Sequence, residues 1–266
     1  MNGVRKRTER LIVTRVTSEG SRRRPDELIV EEPMTIQLDG TTVSTTMRTP
    51  GNDYELAVGF CFTEGLLAGA PVTGVRYCAT GSAVASNFNV VTVETGGRAP
   101  RAAPRLVTTS SSCGWCGSDQ IDDLLARLSP LPPSDPIDLD VVAGVPGRVI
   151  DGQGLFGATG AVHAAAAFDR DGRVLLTRED VGRHNAVDKV VGALLLEGAL
   201  PATGRGLFVS GRASVEMAQK AWAAGFGTLV SVSAPTALAV QAARRAGMVL
   251  VGFVRADGFN VYSSPA

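Results

Sequence analysis

The second half of the chain alternates short apolar runs with amphipathic segments, and this alternation constrains the fold more than any other feature. From about residue 150 onward, runs typical of strands are separated by segments with helical periodicity. Such a pattern predicts a sheet covered by helices, with parallel neighbours among its strands. The predicted strands are AVHAAAAFD, RVLLTRED, GLFVSG, TLVSVSA and MVLVGFVRADG, and the predicted helices are NAVDKVVGALLLEG, SVEMAQKAWAAG and PTALAVQAARRAG.

The first half is richer in strand patterns. ELIVEEPMTIQLDGTTVSTTM and NFNVVTVETG predict strands, with Asp39 and Gly40 in a tight hairpin turn. YELAVGFCFTEGLL has helical periodicity, and Asn52 or Asp53 is placed to cap its first turn. The segment LIVTRV near the amino terminus is strand-like, whereas the three arginines at residues 22–24 are expected in a solvated loop.

A change of composition separates the two halves. SPLPPSDPIDLD is rich in proline and serine and is the best linker candidate, and SDQIDDLLARL before it predicts a short helix. We therefore predict two domains. Residues 1–130 are expected to form a smaller strand-rich α+β region, and residues 131–266 an α/β domain.

Charge and hydropathy exclude several functional classes. Lys plus Arg and Asp plus Glu both number 26, so no global basic field is available to bind nucleic acid or an anionic membrane surface. The apolar stretches are too short or too interrupted to predict a membrane span or a signal peptide. We expect a cytoplasmic protein.

Two of the four cysteines, Cys113 and Cys116, form a C-x-x-C pair at the end of a long connection rich in Gly, Pro, Arg and Ser. A structural zinc site needs four ligands, and no second closely spaced pair accompanies this one. A thioredoxin-like dithiol would follow a strand, which this pair does not. Half of a zinc site and a redox dithiol are thus less favoured but stay open, beside a nucleophilic cysteine and a loop without chemistry. The other possible metal ligands are Cys61, expected as a buried core thiol, Cys78, His163, expected as a core histidine, and His184.

The nucleophilic interpretation has a physical basis in the flanking residues. Both thiols precede a predicted helix, near its partial positive end, and Arg101 and Arg105 are close in sequence. These positive charges favour the thiolate, which is the reactive form.

Three strand-end turns predict an anion site in the second half. TREDVGRHNAVDKVVG turns at Gly182 from a strand into a helix, where amides and basic groups can receive a phosphate. A solvated charged face and a turn capped by His184 are the alternative interpretations. SGRAS, with Gly211 and Arg212, and VRADG end two further strands. Ligands of α/β sheets bind at such carboxyl ends.

Several segments, taken together, resemble the formate dehydrogenase accessory sulfurtransferase family, FdhD. The resemblance runs in order from EEPMTIQLDG to NVY, which is most of the chain. Its specific segments are SSCGWCG, ATGAVHAAA, REDVGRHNAVDKVVG, SGRASVEMAQKA, SAPTALAV and GFVRADGFNVY.

The resemblance implies a sulfurtransferase. Cys113 would carry a persulfide received from a cysteine desulfurase, with Cys116 as its assisting partner. The sulfur would pass to the molybdenum cofactor before that cofactor enters the formate dehydrogenase apoenzyme. A non-catalytic cofactor-binding chaperone and a zinc-structured interaction protein are the alternative functions.

The resemblance also implies a fold, a ligand and an assembly. The fold would be related to the cytidine deaminases, and the protein would be a homodimer. The zinc signature of those enzymes is absent, because Ala165 stands where it needs Glu and no Pro precedes Cys113, so no metal is expected. The bound acceptor would be the bis(molybdopterin guanine dinucleotide) form of the cofactor, mimicked by GDP. Its expected binding residues are Phe253, Val254, Arg255, Ala256, Asp257 and Gly258.

Overall fold

The computed structural model describes residues 5–78, 82–101, 128–133 and 137–264. These residues form a two-stranded, a four-stranded and a six-stranded sheet. The α/β class predicted from the sequence is confirmed. The strands are β1 (Thr8–Thr17), β2 (Gly20–Ile29), β3 (Glu32–Leu38), β4 (Thr41–Arg48), β5 (Gly74–Tyr77), β6 (Val90–Glu94), β7 (His163–Phe168), β8 (Val174–Asp180), β9 (Gly206–Val209), β10 (Thr228–Ser231), β11 (Val249–Arg255) and β12 (Gly258–Ser263). The helices are α1 (Asp53–Thr63), α2 (Leu139–Ile150), α3 (Gly154–Thr159), α4 (Arg183–Leu196), α5 (Val215–Ala223) and α6 (Ala237–Ala246).

The first two strands pair with each other in a long antiparallel hairpin. The solvated loop expected at residues 22–24 is wrong, because these arginines lie on β2, with Arg22 opposite Arg15 and Arg23 opposite Thr14. A strand in an exposed hairpin keeps its side chains in water while its backbone pairs, so charged residues do not exclude it.

The four-stranded sheet has the order β4-β3-β6-β5, and the predicted turn at Asp39 and Gly40 joins β3 to β4. The predicted helix α1 is present, but the side chain of Asn52 makes no capping hydrogen bond. The carboxylate of Asp53 instead accepts hydrogen bonds from the Gly51 amide, at 3.1 Å, and from the guanidinium of Arg48. The start of α1 is thereby tied to the end of β4.

The six-stranded sheet has the order β12-β11-β10-β9-β7-β8. Its strands β9, β10 and β11 are parallel, as the alternating pattern predicts, whereas β7, β8 and β12 are antiparallel to their neighbours. Helices α4, α5 and α6 were predicted, but α2, α3 and β12 were not.

The linker candidate lies against the six-stranded sheet domain where it is described. Leu131 packs on the core of that domain, as does Leu128 just before the candidate, and the Ser129 carbonyl accepts a hydrogen bond of 2.7 Å from the indole of Trp222. Each of the two larger sheets is formed by one half of the chain. The division at residues 130 and 131 stays a prediction, and the expected helix over residues 118–128 lies outside the described residues except for Leu128.

Candidate ligand site at the sheet edge

A cavity of about 460 Å³ opens at one edge of the six-stranded sheet. This volume lies within the range of small-molecule and cofactor sites, which are typically lined by apolar side chains with a few polar groups. Its walls have that character. The lining residues are Pro146, Ile150, Gln153, Phe156, Gly160, Ala161, Val162, His163, Val181, Phe208, Ser210 and Val232.

Strand direction explains why these distant residues meet. Ser210 and Val232 directly follow the parallel strands β9 and β10, so they lie at the carboxyl edge of the sheet. His163 begins the antiparallel strand β7 and Val181 follows β8, which places both at the same edge. Ligands of α/β sheets bind at this edge, where the sequence predicted a site.

The short helix α3 is held over the cavity by a buried carboxylate. Glu179 accepts hydrogen bonds from the amides of Leu155, at 2.9 Å, and Phe156, at 2.8 Å. The Glu179 side chain therefore fixes the first turn of α3, and the ring of Phe156 forms part of the cavity wall.

His163 is half-buried and lines the cavity, so the prediction of a core histidine is wrong. Its ring lies against the bare backbone of Gly211, where an added Cβ would be 3.4 Å from His163 Nδ1. Burial and the nearby charge of Arg183 lower the pKa of His163, while Asp180 opposes them. The structure therefore favours a neutral imidazole in the cavity wall.

The predicted cofactor-binding segment adjoins the same cavity. Arg255 donates hydrogen bonds to the carbonyl oxygens of Val232, at 2.6 Å, and Val254, at 2.8 Å. Phe253 has a φ of 55° and a side chain that is 45% exposed. The turn between β11 and β12 lies at residues 256–257, and Gly258 is the first residue of β12. Cofactor binding by these residues stays a prediction.

The expected phosphate position at Gly182 is wrong, because a side chain of the protein already occupies it. The carboxylate of Asp180 accepts the Gly182 amide at 2.8 Å and an amide hydrogen of Asn185 at 2.9 Å. Lys189 forms an ion pair with Asp180 at 2.7 Å, and both side chains are completely buried. These residues of the EDVGRHNAVDK motif are therefore structural, joining β8 to α4.

The cysteine expectations have different outcomes. Cys61 is a buried core thiol as predicted, and burial raises its pKa. Cys113 and Cys116 lie outside the described residues, so their roles stay predictions.

Across the described ranges, no three His, Cys, Asp or Glu side chains are grouped closely enough to hold a metal ion. Nor does any helix found there have the length and apolar character needed to cross a membrane.

Sequence reasoning missed the contribution of α2 and α3, whose segment supplies Pro146, Ile150, Gln153 and Phe156 to the cavity. A usable signal was present, since Asp138 caps α2 by accepting the Asp140 amide, and Val142, Val145 and Val149 form its buried face. A proline inside a helical pattern normally argues against a helix, and Pro146 obscured this one.

The fold and cavity define an α/β protein with a cavity of ligand size at the carboxyl edge of its six-stranded sheet. The model of the FdhD/NarQ family matches residues 29–266, and the chain belongs to this family.

Similar proteins cover nearly the whole chain. A relative from Mycolicibacterium paratuberculosis, named "Sulfur carrier protein FdhD", is 44% identical over 96% of this chain and 97% of its own length. One of the same name from Streptomyces coelicolor is 45% identical over 96% of this chain and 94% of its own. A crystal structure of a putative formate dehydrogenase accessory protein from Desulfotalea psychrophila shares the fold, with a TM-score of 0.80, 22% identity and 98% of each chain covered.

Proposed function

We propose that this protein is a sulfurtransferase that carries sulfur as a persulfide on Cys113 from a cysteine desulfurase to the molybdenum cofactor. The acceptor would be the bis(molybdopterin guanine dinucleotide) form, sulfurated before it enters the formate dehydrogenase apoenzyme. One observation carries the proposal: relatives about 45% identical over 96% of the chain are named sulfur carrier proteins.

The first step loads the carrier. The thiolate of Cys113 attacks the outer sulfur of the donor's cysteine persulfide, a new S–S bond forms on Cys113, and the donor leaves as its thiolate. One sulfane sulfur moves between two cysteines, so this exchange needs no external oxidant or reductant. Arg101 or Arg105 near Cys113 in the sequence would favour the attacking thiolate.

The second step releases the sulfur, and Cys116 supplies its electrons. The thiolate of Cys116 attacks the inner sulfur of the persulfide, the S–S bond to the outer sulfur breaks, and sulfide leaves for the acceptor. The two cysteines are then joined as a disulfide, having been oxidised by two electrons while the sulfane sulfur is reduced to sulfide. A cellular dithiol must reduce this disulfide before the next cycle.

The cofactor would bind as substrate at the carboxyl edge of the six-stranded sheet. A cavity of about 460 Å³ with aromatic and aliphatic walls suits part of a large heteroaromatic ligand. Arg255 at its border, held by the Val232 carbonyl, suits a phosphate of that ligand because a guanidinium pairs with two phosphate oxygens at once. The homodimer and the cytoplasmic location belong to this proposal.

Mass spectrometry after incubation with a cysteine desulfurase and cysteine tests the function directly. The expected result is a gain of one sulfur atom on the peptide that contains Cys113 and loss of that gain in Cys113→Ser. Cys61→Ser is the matched control, since Cys61 is buried and has a raised pKa. A chaperone without sulfur chemistry would support formate dehydrogenase activity in the Cys113→Ser form. A zinc-structured protein would contain stoichiometric metal and unfold with a chelator.

A further inference from the structure

The polar groups in the wall of the cavity are free to bind the edge of a ligand. Gln153 directly precedes α3, and its side chain makes no capping hydrogen bond to that helix. The Ser210 hydroxyl accepts the Ala164 amide at 2.9 Å, which leaves its own hydrogen for another acceptor. Within the described part of the chain, no hydrogen bond uses the Gln153 carboxamide, the Ser210 O–H or the His163 ring.

The same wall presents aromatic rings. Phe156 of α3, Phe208 of β9 and the imidazole of His163 all line the cavity, and Phe156 is 49% exposed. The backbone of Phe156 is fixed, because its amide donates a hydrogen bond of 2.8 Å to the buried carboxylate of Glu179. An open aromatic face held in this way is a stacking surface for a flat heteroaromatic group.

The distribution of charge determines which part of a ligand enters the cavity. Among the lining residues that the structure describes, none is Lys, Arg, Asp or Glu, and the pKa of His163 is lowered, which favours its neutral form. Moving a phosphate into such surroundings costs free energy, because its charge would lose water without gaining a counter-charge. A neutral ring does not have this cost. The nearest described cation at the border is Arg255, held there by the Val232 carbonyl.

We propose that the cavity receives a 2-amino-4-oxopyrimidine ring, with the face of the ring on Phe156 and its polar edge on the carboxamide of Gln153, while the attached phosphate extends to Arg255. The inference rests on the proposed function, whose acceptor contains this ring both in its guanine and in its pterin. The ring carries a lactam, an N–H beside a carbonyl. The carboxamide oxygen of Gln153 accepts that N–H and its NH₂ donates to the carbonyl oxygen, so the two groups pair through parallel hydrogen bonds.

Calorimetric titration of the protein with guanosine and with 6-hydroxymethylpterin tests the ring site, since neither probe contains a phosphate. Phe156→Ala should raise the Kd about tenfold, because one stack between a base and an aromatic ring is lost. Phe156→Trp keeps an aromatic face and should restore most of the affinity. Tyr54→Ala, which removes an exposed ring outside the cavity, is the matched control and should leave the Kd unchanged.

Gln153→Leu tests the pairing with the lactam. It should raise the Kd of guanosine about tenfold, because the hydrogen bonds to the carboxamide are lost. The unchanged protein should also prefer guanosine to 1-methylguanosine, whose N–H is blocked, and Gln153→Leu should lose this preference. A structural effect of the substitution would weaken both nucleosides equally. The matched control is Gln241→Leu on the exposed surface of α6, which should keep both the Kd and the preference.

The orientation of the ligand has its own measurement. Phe156→Ala should weaken the binding of GDP and guanosine by the same factor, because both contain the ring. Arg255→Ala should weaken GDP far more than guanosine, because only GDP has a phosphate to pair with the guanidinium. Equal losses for both ligands in Arg255→Ala would overturn this orientation.

The ring site is overturned if neither guanosine nor 6-hydroxymethylpterin binds saturably, or if Phe156→Ala and Gln153→Leu bind them with the original Kd. Binding of one probe alone supports the site and identifies its occupant as guanine or pterin. The urea midpoint of each variant establishes that it is folded. Persulfide formation on Cys113 is measured separately. If the persulfide forms and the cavity variants bind normally, only this inference fails, whereas absence of the persulfide contradicts the proposed sulfur transfer even where the ring binds as expected.

Discussion

Gly59 of α1 and Gly192 of α4 face each other where the two helices cross. A Cβ added to Gly59 would overlap the Asp188 carbonyl oxygen and lie 2.8 Å from the Gly192 amide nitrogen. A Cβ on Gly192 would overlap the Glu55 carbonyl oxygen in the same way. The two backbones are therefore in direct contact, and this contact joins a helix from the first half of the chain to the helix of the EDVGRHNAVDK motif.

Gly59→Ala should destabilise the protein by about 3 kcal/mol, because the added methyl group meets backbone that cannot move without separating the helices. Elsewhere in a helix the same change usually stabilises. Gly147→Ala in α2 is the matched control, since nothing lies within 4 Å of its Cβ position, and it should gain about 0.5–1 kcal/mol. Urea denaturation measures the free energy of unfolding of both variants. An unchanged urea midpoint for Gly59→Ala would contradict the close contact between the two helices.

The fold was predictable where the hydrophobic pattern of a segment matches its burial in the structure. The apolar runs that became β9, β10 and β11 are buried strands between helices, and their pattern is that of buried parallel strands. Strand β2 could not be predicted in this way, because its polar side chains remain in water and only its backbone pairing with β1 makes it a strand.

The candidate site was predictable only in its location. Strand ends identified the edge of the sheet at which the cavity opens, but the cavity combines residues as far apart as Pro146 and Val232, and periodicity carries no information on such contacts. The charged motif was harder to interpret. Lys189 is buried and forms an ion pair with Asp180, so its charge is not available to an anion. The sequence pattern would have been the same if these residues lay on the surface and bound an anion.

Lys220→Met should destabilise the protein by about 3–5 kcal/mol, because it leaves carboxylates buried without their counter-charge. The Lys220 ammonium lies 2.9 Å from Asp188 Oδ1 and 3.1 Å from Glu64 Oε1. Burial raises the pKa of Asp188 to about 6, and Lys220 opposes a further rise. Urea denaturation gives the free energy of unfolding.

The matched control for this ion pair is a double-mutant cycle with Asp188→Asn. The loss in Lys220→Met/Asp188→Asn should be smaller than the sum of the two single losses by about 1–3 kcal/mol, because the second change removes a charge that the first left unpaired. Strict additivity would mean that the two side chains do not interact.

The stability of the protein should depend on His163 below pH 6.5. Its pKa is lowered in the folded protein, so the unfolded chain binds more protons between pH 6.5 and that lower pKa. The free energy of unfolding therefore falls as the pH drops through this window, and the contribution of His163 is fully retained above pH 6.5. In His163→Gln, the free energy of unfolding measured by urea denaturation should fall less between pH 7.5 and 5.5 than in the unchanged protein. Equal falls in both proteins would rule out a neutral imidazole.

Arg255→Ala/Phe253→Ala should weaken GDP binding at least tenfold. The double change removes the guanidinium held at the cavity border by Val232 and the exposed ring beside it. One charge-assisted hydrogen bond to a phosphate accounts for about 1.5–3 kcal/mol, which is tenfold or more in Kd. Arg245→Ala, on the exposed end of α6, is the matched control and should bind normally. If Arg255→Ala/Phe253→Ala binds GDP as tightly as the Arg245→Ala control, the nucleotide binds elsewhere on the protein.

Cys116→Ala should separate loading from release. If Cys116 supplies the electrons for sulfide release, its loss leaves the persulfide on Cys113 intact, because loading needs only one thiolate. We expect the gain of one sulfur atom on Cys113 after treatment with desulfurase and cysteine, together with reduced or absent formate dehydrogenase activity in a host that depends on this protein. Cys113→Ala should lose both, and Cys78→Ala, outside the C-x-x-C pair, is the control that should lose neither. A sulfur adduct that maps to Cys116 in the unchanged protein would reverse the two roles, and full activity of Cys113→Ala would refute the carrier mechanism.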